Sequence, residues 1–279
     1  LSRWLSTACG HRVPVAGDDS SPNRLDVREE AGAAEHFRLQ ASGGSYTVSG
    51  GSRGVIYGVY EFLERLGFEF LAQNATNVPS LSTMPTMKDL DFSSAPAFGF
   101  RSIGYAEVLR EPGAELAVIA RDNSIDWMDE PKPGGGVYYA NPPAGVHTAF
   151  YLINPSIHQS QHPSWFGGWV TDASGKKVAT QLCWMADGLI PALIEAVRTD
   201  LRFGVNANAT ILSVSQNDGG TYCNSSAEMA VIEAEGSPAG PLLRAVNAVA
   251  DAIAAEFPRV RVDTLAYMFT RSPPRLTKP

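Results

Sequence analysis

The sequence of 279 residues carries little charge and no concentration of positive charge. Asp, Glu, Lys and Arg make up only 18% of the residues, and 29 acidic against 22 basic residues give a net charge of −7. Without a basic patch, nucleic acid and anionic membrane surfaces are disfavoured as partners. No apolar run approaches the roughly 18–20 residues needed to cross a bilayer, so we predict no membrane span.

The motifs of several common enzyme classes are missing as well. There is no Walker loop, no G-x-S-x-G nucleophile motif and no Rossmann glycine fingerprint. His158 and His162 have the i, i+4 spacing of a metal pair, but the residues between them lack a Glu and Pro163 follows directly. We therefore predict neither a cofactor nor a metal site.

Cysteine is scarce, with three residues in the whole sequence. We predict that Cys183 and Cys223 lie near the same rim of the fold, which makes a disulfide between them a hypothesis and leaves Cys9 unpaired. Three N-x-S/T sequons occur, at Asn74, Asn208 and Asn224. Together these features favour a secreted or extracytoplasmic protein.

The first part of the chain, residues 1–90, is typical of a small α+β domain. Apolar residues at helical spacing open the chain, as if it began inside a helix. A hairpin is predicted over 36–41 and 45–49, and an amphipathic helix over 54–66 that Gly67 ends. A short β-type run is predicted over 12–16. Residues 77–96 are rich in Pro, Ser and Thr and are predicted to form a linker.

From residue 97 to 279 the pattern changes to strands alternating with helices, which is the signature of an α/β fold with a parallel sheet. Strands are predicted over 100–105, 124–128, 146–153, 209–214 and 260–269. Helices are predicted over 114–121, from Asp187 to 201, and from Pro241 onward. A (β/α)8 TIM-type barrel usually needs about 250 residues. The segment therefore predicts either an open five-stranded sheet or a barrel that is truncated after about five strands.

Active sites of parallel β/α folds lie at the carboxyl ends of the strands. This rule selects Arg101, Tyr105, His147, Tyr267 and residues 126–130. The strongest signal is the run from Ser213 to Gly220, in which an apolar strand leads directly into Gln216, Asn217 and Asp218 before two glycines. Asp218 could act as a general acid if burial raises its pKa, or it could simply close an Asx-turn. Four tryptophans, Trp127, Trp165, Trp169 and Trp184, are either core residues or stacking platforms for sugar rings.

Several of these segments resemble known glycosidases. Residues 52–64 (SRGVIYGVYEFLE) are similar to a helix of the small domain that precedes the barrel in family 20 hexosaminidases and α-glucuronidases. The runs HTAF at 147–150, HPSWF at 162–166, QLC at 181–183, VSQND at 214–218 and LAY at 265–267, with prolines at 273–274, resemble glycoside hydrolase family 163 in that order. The resemblance implies a retaining endo-β-N-acetylglucosaminidase, with a small α+β domain before a barrel, that acts on the carbohydrate of glycoproteins.

The implied mechanism uses the 2-acetamido oxygen of the substrate as the nucleophile. Asn217 would orient that amide and Asp218 would be the acid/base. In a mechanism with two carboxylates, the second one could lie beyond residue 279. Substrate contacts are predicted for Arg101, His147, Trp127, Tyr267 and Gln216. Two alternatives remain open: an α-glucuronidase-like enzyme, for which Arg101 would bind the uronate, and a glycan-binding protein without catalysis. We also expect the natural chain to extend past Pro279, and this fragment could then be inactive.

Overall fold

The computed structural model describes residues 1–15, 24–83, 85–87, 90–103, 114–123, 139–141, 143 and 145–279. The chain divides into two compact units, Leu1–Val137 and Tyr138–Pro279. These two units are not evidence for or against the predicted domains over 1–90 and 97–279, which remain a prediction. In the described part of the chain, no helix is long and apolar enough to span a membrane.

The N-terminal unit is built on a four-stranded sheet with the order β1-β3-β2-β6. Its strands are β1 (Leu25–Glu29), β2 (Phe37–Ser42), β3 (Ser45–Gly50) and β6 (Asp91–Ser94). Strand β1 is parallel to β3, whereas β2 is antiparallel to both β3 and β6. The predicted hairpin is confirmed, and Gly43 and Gly44 both have positive φ, as its two-residue turn requires. A separate hairpin joins β4 (Glu69–Ala72) and β5 (Ala75–Asn77).

The predicted amphipathic helix is confirmed as Gly54–Arg65, and it covers one face of this sheet. Its buried side chains, Tyr57, Phe62 and Leu63, share a hydrophobic core with Phe37 and other sheet residues. The helix can approach the sheet closely because Gly58 has no side chain, and a Cβ there would lie 2.8 Å from a methyl carbon of Val48. The opening helix is also confirmed, as Ser2–Cys9, and a third helix spans Ala114–Ile119.

Three predictions for the N-terminal unit need correction or lie outside the described residues. The predicted linker contains β6, whose alternating Asp91, Phe92, Ser93 and Ser94 pair with β2 as an edge strand. Residues 12–15 and 100–103 form no strand. Tyr105 and residues 124–138, which include Trp127 and the whole of the predicted second strand, lie outside the described residues.

The C-terminal unit packs three helices around a short parallel pair of strands. The helices are Leu189–Arg202, Ser226–Glu235 and Ala239–Ile253, and the strands are β11 (Ile211–Ser213) and β12 (Arg261–Asp263). Tyr139 forms a parallel bridge with Ile211, so β11 lies between Tyr139 and β12. Leu212, Val214 and the inner faces of the first and third helices form one hydrophobic core.

The predicted strand over 146–153 is wrong, because this segment forms a helix at Ala149–Leu152. Ala149, Leu152 and Ile153 are its buried residues, and their spacing of three and four is helical. A second short helix follows at Pro155–His158, and 3-10 turns occupy Pro163–Trp165, Gly204–Asn206 and Met268–Thr270.

Smaller differences concern the ends of the other elements. The helix expected to begin at Asp187 has Gly188 as its N-cap, and the helix expected to open at Pro241 begins at Ala239. The strand predicted over 260–269 is limited to β12. The Ser226–Glu235 helix was not predicted, because its polar and apolar residues are mixed around its circumference.

Two small antiparallel pairs complete the unit: β7 (Phe166–Gly167) with β10 (Gln181–Leu182), and β8 (Val170–Thr171) with β9 (Lys177–Val178). The hypothesis of a Cys183–Cys223 disulfide is confirmed, and Cys9 is free. The described residues therefore form a mixed α and β structure with small sheets, none of which closes into a barrel. The truncated (β/α)8 barrel remains a prediction.

Candidate functional site

The chain leaves β11 as a run of polar residues whose exposure increases along it. Ser213, Ser215 and Gln216 are fully buried, Asn217 is partly buried and Asp218 is exposed. A strand that begins in the hydrophobic core thus ends in a carboxylate that solvent and ligands can reach. This is the arrangement predicted from the sequence, and it lies at the carboxyl end of the parallel strand.

Gln181 and Asn217 hold residues 214–220, here called the exit loop, in place. Gln181 is buried; its Oε1 accepts from the backbone N–H of Asn217 at 3.1 Å and its Nε2 donates to the Asn217 carbonyl at 2.9 Å. The Asn217 side chain in turn accepts from the N–H of Phe150 at 3.2 Å and donates to the carbonyl of Thr180 at 2.8 Å. Together, the two side-chain amides connect the segments that contain Phe150, Gln181 and Asn217. Asn217 thereby positions the loop that carries Asp218.

Asp218 sits at a tight turn. Its Oδ1 accepts from the backbone N–H of Gly219 at 2.8 Å, and Gly219 has a φ of 116°, which side-chain-bearing residues rarely adopt. The carboxylate is exposed, whereas the sequence-based acid role depended on its burial. In this structure the fixed turn, and not a buried environment, determines where the carboxylate points.

His147, Gln216 and Tyr267, three of the predicted substrate-contact residues, lie close together. His147 Nδ1 donates to the Gln216 carbonyl at 2.9 Å, and the ring centroids of His147 and Tyr267 are 6.0 Å apart. Gln216 is fully buried, and its Nε2 donates to the Tyr267 carbonyl at 2.8 Å and to Thr270 Oγ1 at 2.7 Å. The predicted substrate contact of the Gln216 side chain is thus replaced by a positioning role.

Backbone strain is concentrated at the same place. His147 and Met268 have φ values of 57° and 53°, in the left-handed region that residues with a side chain seldom occupy. Strained conformations of this kind persist only where the surrounding contacts enforce them, and they are frequent at ligand sites. Here the contacts of Gln216 with His147 and with the 267–270 turn provide that constraint.

Exposed aromatic side chains border the exit loop. Tyr267 is 43% exposed, and Tyr222 is 36% exposed and packs on Phe269 at 5.6 Å between ring centroids. Trp169 is also exposed, and the preceding Gly168 carbonyl accepts from the hydroxyl of Thr221. Aromatic rings in such positions can stack on the apolar C–H face of a sugar.

The other tryptophans and the histidine pair have structural positions. Trp165 and Trp184 are buried in the core. The ring of His162 stacks on Trp165 at 3.9 Å, and His158 contacts the same indole. Within the described ranges, no group of three or more His, Cys, Asp or Glu side chains could hold a metal ion. Trp127 lies outside the described residues.

Arg101 is engaged within the N-terminal unit. Its guanidinium donates to Glu35 at 2.5 Å, to the Arg121 carbonyl at 2.7 Å and to the carbonyl of Phe98. Burial acts to raise the pKa of Glu35, but hydrogen bonds and charge from Arg101 outweigh it and lower that pKa. The Arg101 guanidinium is thus engaged in a partly buried ion pair that joins segments of its own unit, and its substrate contact remains a prediction.

Asp263 is a candidate residue that the sequence reasoning missed. It is the last residue of β12, its Oδ2 accepts from the hydroxyl of Tyr139, and its Oδ1 has no hydrogen-bond partner among the described residues. Burial raises the pKa of Asp263, although the hydroxyls of Tyr139 and Ser213 act against this rise. The alternation of Arg261, Val262 and Asp263 was the available signal, because it places the carboxyl on the face opposite the core.

Comparison with known families identifies the chain. The family described as Domain of unknown function (DUF4838) matches residues 70–279, which is well over half of the sequence. The chain belongs to the DUF4838 family. All candidate residues from His147 to Tyr267 lie within the DUF4838 match. No curated protein shows significant similarity to this DUF4838 protein.

Proposed function

We propose that this DUF4838 protein is a glycoside hydrolase that cleaves β-linked N-acetylglucosamine-containing glycans with retention of configuration. The observation that carries the proposal is the exposed Asp218 carboxylate at the carboxyl end of β11, bordered by exposed aromatic rings. Protonation of a glycosidic oxygen needs at least a carboxyl group, and aromatic rings beside it can hold the sugar ring in place. The resemblance to glycoside hydrolase family 163 supports the same reaction.

Asp218 is the acid/base in this proposal. A bound sugar covers the carboxyl and excludes water from it, and this strengthens the contact between the carboxyl and the glycosidic oxygen. The Gln181–Asn217 amide pair fixes the backbone on both sides of Asp218. Tyr267 and Tyr222 stack on the sugar, and His147 holds the loop that places Tyr267.

The reaction then proceeds in two steps. The 2-acetamido oxygen of the substrate attacks C1 while the Asp218 carboxyl gives its proton to the leaving glycosidic oxygen, so that the C1–O bond breaks and a cyclic oxazolinium forms. A water molecule next attacks C1, the bond between C1 and the ring oxygen of the oxazolinium breaks to restore the 2-acetamido group, and the Asp218 carboxylate accepts the proton of the water. Both steps invert C1, and the net result is retention.

One alternative function is favoured by a specific observation. The solvent exposure of Asp218, Tyr222 and Tyr267 also suits a protein that binds glycans without cleaving them. The basic group predicted for the α-glucuronidase alternative, the Arg101 guanidinium, is paired with Glu35.

We further propose that the protein is secreted or extracytoplasmic. The Cys183–Cys223 disulfide is consistent with an oxidising compartment. Asn74, Asn208 and Asn224, which carry the three sequons, are all exposed and so accessible to a glycosylating enzyme.

The proposed function is tested by hydrolysis of a panel of chromogenic β-N-acetylglucosaminides, α-glucuronides and glycoprotein glycans. We expect release from N-acetylglucosamine-containing substrates, and we expect Asp218→Asn to lower kcat by about 100-fold or more, since general acid catalysis contributes about 10²–10⁴-fold. Asp251→Asn is the matched control, because Asp251 is an exposed carboxylate on the Ala239–Ile253 helix. Binding of the glycans without release by the wild-type chain would favour the non-catalytic alternative.

A further inference from the structure

Residues 166–182 form an antiparallel arm in two parts. The inner part is the strand pair β7–β10, which is buried, and the outer part is the strand pair β8–β9. Residues 168–180, here called the outer hairpin, contain β8 and β9 and the turn between them. Trp169 directly precedes β8 and is 46% exposed. The outer hairpin therefore presents a large aromatic side chain to solvent.

Hydrogen bonds join the outer hairpin to the candidate site. Thr180 Oγ1 donates to the carbonyl of Gly168 at 2.5 Å, and the carbonyl of Thr180 accepts from Asn217 Nδ2 at 2.8 Å. The residue before Trp169 is thus connected through Thr180 to the residue before Asp218. A ligand at the Asp218 carboxylate that extends along the chain surface therefore has the outer hairpin as a neighbour.

The turn at the tip of the outer hairpin is held by one carboxylate. Asp172 Oδ1 accepts from the backbone N–H and the hydroxyl of Ser174, at 2.9 and 2.6 Å, and from the backbone N–H of Lys176 at 3.0 Å. These bonds fix the backbone that leads into Lys177, the first residue of β9. A pre-ordered arm loses little conformational entropy when it binds a ligand.

The two faces of the outer hairpin differ in exposure and in chemistry. Val170 pairs with Val178, and both are partly buried, whereas Thr171 pairs with Lys177, and both are exposed. Paired residues of antiparallel strands share a face, and side chains alternate along a strand, so Trp169 lies on the side of Thr171 and Lys177. This side, here called the Trp–Thr–Lys face, combines an aromatic ring, a hydroxyl and a cation.

The Lys177 ammonium has no carboxylate partner among the residues that the structure describes. In the same unit, Arg198, Arg202 and Arg244 are each paired with a glutamate, at 2.6, 3.2 and 2.7 Å. The whole chain has a net charge of −7, so an anionic ligand needs a local cation to offset repulsion. Lys177 supplies such a cation beside an exposed indole.

We propose that the Trp–Thr–Lys face is a specificity site for anionic glycans. The indole of Trp169 stacks on the C–H face of a sugar, and the Lys177 ammonium binds a carboxylate or a sulfate group of that sugar or of its neighbour. The Thr171 hydroxyl hydrogen-bonds the same sugar. The inference rests on the proposed function for the carbohydrate nature of the ligand, and it adds the charge of the substrate. The three residues determine specificity and take no part in proton transfer.

The inference is tested by titrating the 279-residue chain with N-acetyllactosamine, sialyl-N-acetyllactosamine and a sulfated N-acetyllactosamine in isothermal calorimetry at low salt. We expect at least one of the two acidic sugars to bind about threefold to fivefold more tightly than the neutral sugar, since an exposed ion pair contributes modestly. The comparison of the two acidic sugars distinguishes a carboxylate from a sulfate ligand. About 0.5 M NaCl should remove the preference, because salt screens exposed charges.

Variants of the Trp–Thr–Lys face separate charge from stacking. Lys177→Gln should reduce the preference for the acidic sugar to about onefold. Lys278→Gln is the matched control, because it removes one exposed ammonium from the same unit, where the Lys278 carbonyl accepts from Asn247 Nδ2. Trp169→Ala should weaken the binding of all three sugars by about fivefold, and Trp169→Phe, which keeps an aromatic ring, should restore most of it.

Equal affinity of the wild-type chain for acidic and neutral sugars would overturn the inference, and so would a preference that persists in Lys177→Gln. Absence of binding to all three sugars overturns it as well. Hydrolysis is measured separately. If the wild-type chain releases product from glycans but shows no preference for acidic sugars, only the inference fails. If the preference is present and depends on Lys177 while no substrate is hydrolysed, the inference stands and the proposed hydrolase fails.

Discussion

Glu228 and Glu235 lie on the same helix and are both buried, but they receive different hydrogen bonds. Hydrogen bonds from Thr277 and Arg244 lower the pKa of Glu235 to about 2. Burial raises the pKa of Glu228 to about 7, although the backbone N–H groups of Met185 and Trp184 act against the rise. The number of donors, and not burial alone, decides which of the two carboxyls is charged near neutral pH.

The raised pKa of Glu228 predicts a stability that falls as pH rises. The protonated carboxyl is favoured in the folded state, so its contribution is fully present below pH 4.5, its ordinary pKa, and is lost as pH rises through about 7. The loss is about 3 kcal/mol of unfolding free energy at most, since the pKa of Glu228 rises from its ordinary value of 4.5 to about 7 on folding. Glu228→Gln should flatten this slope in urea unfolding at pH 5 to 8.

Glu233→Gln is the matched control for this prediction, because Glu233 is exposed on the same helix. Asp200, whose pKa burial raises to about 6, contributes a slope of the same sign that remains in both variants. Parallel pH profiles for Glu228→Gln and the wild-type chain would show that Glu228 ionises normally in the folded protein.

At the scale of elements, the segments that the sequence predicted well are those with a long, one-sided apolar pattern. The helices Gly54–Arg65, Leu189–Arg202 and Ala239–Ile253 each bury one stripe of residues, and that periodicity is visible without a structure. The segment 146–153 is short and apolar on most sides, so its pattern fits a strand as well as a helix. Tertiary packing against the core, which periodicity does not report, decides for the helix.

For the candidate site too, some residues could be recognised from the sequence and others could not. Asn217, Asp218, His147 and Tyr267 stand out because polar residues follow apolar runs. The positioning roles of Gln216 and Gln181 depend on partners 36 to 54 residues away in sequence, and no local pattern predicts them. Asp263 was overlooked because β12 is only three residues long.

The disulfide links the end of β10 to the loop that follows the candidate site. Gly167 of β7 lies against it, and a Cβ there would be 2.7 Å from the sulfur of Cys183 and 2.9 Å from that of Cys223. Only glycine fits this position without displacement. The cross-link thus fixes the end of β10 to the loop that follows Asp218.

Removal of the disulfide should lower the stability of the protein. The two cysteines are 40 residues apart, and loop-closure entropy for that length predicts a loss of about 4 kcal/mol in the double variant Cys183→Ser/Cys223→Ser. The measurement is the midpoint of guanidinium unfolding followed by tryptophan fluorescence. Cys9→Ser, which removes the free cysteine, should unfold like the wild-type chain. A double variant as stable as wild type would mean that the disulfide does not constrain the unfolded chain.

At the scale of the whole molecule, each of the two compact units has its own hydrophobic core. The chemistry-bearing groups of the proposed function, Asp218 and the exposed aromatic rings, all lie in the C-terminal unit. In the N-terminal unit, Arg101 pairs with Glu35 of the same unit. The proposed function is therefore placed in the C-terminal unit, at the carboxyl end of β11, from which Asp218 extends.

The most direct test of the account is the configuration of the first product. Proton NMR during hydrolysis of diacetylchitobiose or a longer β-linked N-acetylglucosamine oligosaccharide follows the anomeric signal before mutarotation. We predict the β-anomer first, because attack by the acetamido oxygen and then by water inverts C1 twice. Initial appearance of the α-anomer would contradict the mechanism, and absence of any product from the wild-type chain would contradict the proposed function.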